Sequence, residues 1–306
     1  MNKISFIFIA AAFLLLPLEV IEHEFVPYVE LVLCSILIGT FGIAHGAIDN
    51  HLYGIKSVKE NKLFIAIYVF AGLLFGVVWY LSFDIAFTIF LIISAYHFGQ
   101  SQFIDFSGKA SFLDRILYIS WGVVLLSAFI YFNSAELTTA NDSSTVPLDV
   151  FGWLLTFSVY ILVASVGLLL LLLANFIYTQ KMTIERGLTE IYQMFIIGVV
   201  FTVSSPLLGF TLYFVILHSI RVMTHEYQFF TMKSTTFSLL KFFKMLLPFT
   251  IISILGLLFF VLVVNYYQMT ISMPLVLLIF ISCLTLPHSL IMELFYKKSL
   301  GKISFS

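Results

Sequence analysis

Apolar runs long enough to cross a bilayer recur along the whole of this chain, and no other feature constrains its fold as strongly. A hydrocarbon core about 30 Å thick is crossed by a helix of roughly 20 apolar residues. Such runs fall at 4–21, 29–50, 62–82, 84–104, 112–133, 149–178, 187–203, 206–230, 238–265 and 273–296. They predict about ten transmembrane helices, within a range of eight to ten, because 187–203 is short and the turns at 82–84 and 204–206 are tight. The expected fold class is all-α, a polytopic helix bundle forming a single integral membrane domain over residues 1–306. Composition agrees: 61% of residues are hydrophobic and 10% charged, against about 45–50% and about 25% in soluble domains.

The breaks are chemically sensible. They fall at Pro27, Asp84, the Ser/Thr/Asn/Asp stretch 133–149, Pro206 and Pro274. Only 134–149 is expected to form a loop of any size. The opening MNKISFIFIAAAFLLLPLEV resembles a signal peptide but lacks a small-x-small cleavage site, so it reads as a first span, with cleavage as the alternative. Net charge is −1, which gives no reason to expect nucleic acid as a partner. Cys34 and Cys283 both lie inside apolar runs and are expected to be small packing residues rather than a disulfide.

Positive charge sets the orientation, since cytoplasmic segments collect Lys and Arg. With the N-terminus inside, the inner segments and adjoining helix ends hold Lys3, Lys56, Lys59, Lys62, Lys109, Arg115, Lys181, Arg186, Lys233, Lys241, Lys244, Lys297, Lys298 and Lys302. The outer loops hold none, and Arg221 alone lies within a span. Fourteen of fifteen basic residues therefore fall on one side, which predicts an even number of spans with both termini in the cytoplasm; the expected location of this multi-pass chain is the inner cell membrane.

Ionisable groups deep in a span are costly and mark function by default. His45, His97, His218 and His288 fall on spans 2, 4, 8 and 10, all of which run from outside to inside. They lie 16, 13, 12 and 15 residues from the starts of those spans, or about 18–24 Å below the outer surface at 1.5 Å per residue. Four imidazoles at one depth suggest a metal cage, because neutral imidazole is a common ligand for iron, copper and zinc. The alternative is that each ring hydrogen-bonds a neighbouring helix. His51 lies deeper, near Lys56 and Lys59, and His23 lies among glutamates; both are expected to be solvated.

A metal-bound histidine usually donates its other N–H to a carboxylate, carbonyl or water. Asp49, one turn beyond His45, is a candidate for that role, as are Glu226, Glu293, Tyr96 and Gln100. Arg221 needs a partner at such depth, and Asp49, Glu226 or Glu293 could supply it. Gly42, Gly46 and Gly99 are expected to let spans 2 and 4 approach closely. Asp105, Asp114, Glu185 and Glu190 read as solvated helix ends.

The chain has no GxSxG, Walker loop, HExxH or GxGxxG with a following acidic residue. A metal held by neutral imidazoles suits redox or oxygen chemistry on a substrate dissolved in the bilayer. Four segments occur in order on separate spans: AHGAID at 44–49, SAYHFGQSQ at 94–102, YFVILHSIR at 213–221 and LPHSLIMELFY at 286–296. Together they resemble the Brp/Blh family of membrane β-carotene 15,15′-dioxygenases, from about residue 30 to 296. The resemblance implies an Fe(2+) enzyme that splits β-carotene with O2 into two retinal molecules, which would supply a microbial rhodopsin. By motif it places iron ligation on His45, His97 and His218. The family pattern commonly has a further histidine one turn after the position of His218, where this chain has Val222. His288, from another helix in the same layer, is the expected fourth ligand. His225 is the weaker candidate, since it lies seven residues from His218, about 10.5 Å along the axis.

Other classes remain to be distinguished. A non-catalytic carotenoid or retinal carrier, or a transporter, would use the polar layer as a binding or ion path. A di-iron hydroxylase or desaturase is disfavoured, because no HxxxH or HxxHH occurs. A bis-histidine haem protein would pair the four rings and show a haem band.

Overall fold

The computed structural model describes residues 3–21, 23–55, 57–104, 110–142, 149–268 and 273–299. Lys56, Asp105, Lys109 and Lys302 of the charge map lie outside them. Every regular element among the described residues is helical. Lipid offers the backbone no hydrogen-bond partners, so a spanning segment must satisfy its own N–H and C=O groups, and a helix does so.

Nine helices among the described residues are long and apolar enough to cross a membrane. They are α2 (Val26–Tyr53), α3 (Val58–Leu81), α4 (Phe83–Gln102), α5 (Phe112–Phe132), α6 (Asp149–Tyr178), α7 (Ile184–Val203), α8 (Pro206–Lys233) and α9 (Leu239–Tyr266), followed by α10 (Met273–Ser299). The N-terminal α1 (Lys3–Leu15) and the short Pro17–Val20 turn beyond it make a tenth apolar segment that is shorter than the rest. The interval 134–149, expected as loop, begins with a further helix, Ser134–Asp142.

Helix starts are set by hydroxyl caps. Ser57, Ser82, Thr183, Ser205 and Ser238 each accept a backbone N–H of their own first turn. Ser111 and Asp114 form a reciprocal capping box at the start of α5. Such caps satisfy the orphan donors at a helix start and so permit the tight turns between spans.

α5 is the packing centre, with Leu117, Trp121 and Leu125 fully buried. Its neighbour α4 lies backbone to backbone against it. A Cβ at Gly99 would overlap the Tyr118 carbonyl, and one at Gly122 would overlap the Ala95 carbonyl. On the other side α3 packs on α10, where Trp79 Nε1 donates to Ser282 Oγ at 2.7 Å and a Cβ at Gly72 would come within 2.9 Å of the Cys283 carbonyl. The outward faces of α3, α6 and α9 are apolar and exposed, with Phe70, Leu73, Val163, Leu171, Phe259 and Leu262 among them. Both cysteines are free thiols, as expected.

Candidate metal centre

Two of the four histidine-bearing helices depart from α geometry at the histidine itself. In α2 the chain is π-helical over Ile38–Gly42 and 3₁₀ over Ala44–Gly46, so His45 sits on a tightened turn behind a widened one. In α8 the segment Tyr213–Ser219 is π-helical and carries His218. Such local changes of winding re-aim side chains and are frequent at functional sites. The two widened turns touch: a Cβ at Gly42 would lie 2.8 Å from the Phe214 ring. In α10, Pro287 immediately precedes His288 and cannot donate to Cys283, four residues back.

The four histidines predicted from depth are brought together. His45, His97, His218 and His288 are each less than 8% exposed. Ring centroids lie 4.7 Å apart for His45 and His288, 5.0 Å for His45 and His218, 4.9 Å for His97 and His218, and 5.0 Å for His97 and His288. One ring nitrogen from each of His45, His97 and His288 falls within 4.8 Å of the other two. His218 and His225 are outside that set; the His218 ring packs against it, and His225 is half-buried two turns further along α8. His51 and His23 are exposed.

Hydrogen bonds fix which nitrogen of each ring is free. His45 Nδ1 faces the Gly42 carbonyl, which can only accept, so Nδ1 carries the proton. Ser219 Oγ, 3.3 Å from the same nitrogen, already donates to the Phe214 carbonyl and can accept from it. His218 Nδ1 lies 3.0 Å from Ser101 Oγ, whose proton goes to the Phe98 carbonyl, so this Nδ1 also donates. His288 Nδ1 lies 3.0 Å from both oxygens of Asp49 and donates to that carboxylate. In all three rings the lone pair is therefore on Nε2. Nε2 of His218 and of His288, and both nitrogens of His97, are buried with no hydrogen-bond partner among the described residues. A buried polar atom left unpaired costs about 1–3 kcal/mol, and a cation held by neutral imidazoles would relieve that cost at one nitrogen of a ring.

The surrounding polar groups differ from expectation in their partners. Asp49 serves His288 rather than His45, and Tyr68 Oη on α3 donates to its Oδ2 at 3.0 Å. Arg221 does not reach Asp49, Glu226 or Glu293 in the bonds described; it donates to Gln102 and to Gln193 Oε1 (3.2 Å). Gln102 in turn donates to Glu190, which is fully buried between Arg186 (3.0 Å) and Trp121 Nε1 (3.1 Å) and is not a solvated helix end. Glu293 binds Tyr96 (2.8 Å), Gln100 and Lys297 (2.8 Å), and none of these bonds involves a histidine of the centre. Glu226 is fully buried, with neither oxygen hydrogen-bonded. Gly42, Gly46 and Gly99 do permit close packing, but against Phe214 on α8, His288 on α10 and Tyr118 on α5 rather than between α2 and α4. Tyr68, Ser101, Gln102 and Ser219 escape a search for charged residues. Their signal in the sequence is polarity within apolar runs, such as Gln100, Ser101 and Gln102 at the end of α4.

One flank of the centre is aromatic. Phe98 meets the His218 ring edge-on at 4.9 Å, Phe214 stacks on it at 5.6 Å, and Phe210 stacks on Phe214 at 5.8 Å.

Fold and site together define a polytopic membrane protein with a buried cluster of four imidazole rings, three of which could hold a metal ion. Residues 36–296 match the beta-carotene 15,15'-dioxygenase family, and the chain belongs to it. No curated protein and no solved structure matches the chain.

Proposed function

We propose that the chain is an iron(II)-dependent membrane dioxygenase that cleaves the 15,15′ double bond of β-carotene with O2 and forms two molecules of retinal. The reading is carried by one observation within this family: four buried imidazole rings pack together, and one ring nitrogen from each of His45, His97 and His288 lies within 4.8 Å of the other two. His45, His97, His218 and His288 would hold the metal, with His288 as fourth ligand in place of a histidine at Val222. The chemistry that iron(II) supplies when bound is one-electron reactivity toward O2.

The remaining work falls to the chain. In the overall reaction one C=C bond breaks and two C=O bonds form, with both oxygens drawn from O2, so no proton is gained or lost. That stoichiometry asks for no general acid or base and suits a site whose flank is hydrocarbon. Phe98, Phe210 and Phe214 give an apolar aromatic flank suited to a polyene. Asp49, Ser101 and the Gly42 carbonyl keep the Nδ1 protons of three rings turned outward. Substrate and product both dissolve in the bilayer, and retinal released there is available to a microbial rhodopsin. The charge map supports an orientation with both termini in the cytoplasm, and the membrane we propose is the inner cell membrane.

Expression in a bacterium that accumulates β-carotene tests the reading. Loss of colour with appearance of retinal is expected, and His97→Ala abolishes it. Iron-free protein that copurifies with unaltered pigment would instead make the chain a carotenoid carrier.

A further inference from the structure

We propose that Tyr68 is a positioning residue for the metal centre, acting through Asp49 on His288. The inference rests on the metal reading above. Three helices meet at Asp49. His288 Nδ1 on α10 lies 3.0 Å from both carboxylate oxygens, and Tyr68 Oη on α3 lies 3.0 Å from Oδ2. The same hydroxyl lies 3.4 Å from the Leu284 carbonyl, one turn before His288 on α10. Asp49 is 2% exposed and His288 4%, so both partners of this bond lie away from bulk solvent. A carboxylate has two oxygens and a side chain that swivels; the phenol O–H pins one oxygen and leaves the pair fixed across the Nδ1–H of His288.

Packing closes the other side of the ring. A Cβ at Gly46 would come within 3.2 Å of His288 Nδ1, so the imidazole lies directly on the α2 backbone. The ring is held by backbone on one face and by Asp49 at Nδ1, and Nε2 is the only atom left to bind. A metal-bound imidazole is oriented and made more basic by the acceptor on its other nitrogen, and loss of such support costs about 10–100-fold in metal affinity. The other two Nδ1 protons go to neutral oxygens, those of Gly42 and Ser101. His288 alone among these rings donates to a carboxylate, so its basicity depends most on where that partner sits.

The test is cobalt(II) affinity and the ligand-field spectrum of the purified full-length protein, measured by competition with a chelator. Tyr68→Phe removes one oxygen atom and should weaken binding about 10–100-fold, with a shifted cobalt band and an unchanged thermal midpoint for the metal-free protein. Asp49→Asn should show a loss at least as large. In a His288→Ala background, Tyr68→Phe should have no further effect, because a residue acting only through His288 is not additive with its removal. Wild-type affinity in Tyr68→Phe, or an equal loss in the His288→Ala background, overturns the proposal alone. A wild type that binds no cobalt overturns it together with the metal reading. Absence of β-carotene cleavage with the Tyr68 effect intact removes only the carotene reading.

Discussion

At His288 the proton on Nδ1 is committed to Asp49, and Nε2 is buried without a partner. His225 lies outside the group formed by His45, His97 and His288, as does His218, whose ring nonetheless packs 5.0 Å from His45 and 4.9 Å from His97. His288 and His225 were rival fourth ligands by sequence, and their variants distinguish them. His288→Ala should lower bound iron per chain and weaken affinity by more than the 10–100-fold typical of a supporting residue. His225→Ala should leave both unchanged; metal content of the two purified variants decides it. Val222, where a further histidine was expected by resemblance, is 1% exposed among Met223, Phe242, Leu246 and Met292. That position has been taken over by apolar packing.

At the scale of the element, close backbone contact between α4 and α5 fixes where His97 stands. Gly99→Ala drives a methyl into the Tyr118 carbonyl, a rigid neighbour. Overpacking of this kind costs about 1–3 kcal/mol, and here the strain sits two residues from His97. A lower thermal midpoint together with weaker metal binding is expected. Gly167→Ala on α6, where nothing lies within 4 Å, is the matched control and should be neutral or slightly stabilising. Thermal scans of the two variants in one detergent make the comparison. The spans themselves were legible in the sequence, most to within a few residues, because membrane thickness sets their length and lipid expels polar groups. The histidine layer was legible for the same reason. Rotation of each helix about its axis was not, because hydrophobicity runs around the whole circumference and names no partner face. The partners of Asp49 and Arg221 were therefore left open, and Glu190 was assigned to solvent although it is fully buried. The π-helical turns were equally invisible, since no residue in Tyr213–Ser219 dictates them.

For the whole molecule, the sided charge distribution makes a prediction that packing does not. Both termini should lie in the cytoplasm. Green fluorescent protein fused to the C-terminus should fluoresce, and alkaline phosphatase fused there should be inactive; the reverse pattern would place the C-terminus outside and overturn the orientation read from charge. The four rings also arrive far apart in the chain, from α2, α4, α8 and α10, with His288 following His45 by 243 residues (288 − 45). Helices of such a protein leave the ribosome in order. Until α10 is in the bilayer the nascent bundle has three of its four imidazoles, and neither Asp49 nor Gly46 has the ring it packs against. The centre is thus among the last features to mature, and a cation captured earlier would meet an incomplete and looser set of donors.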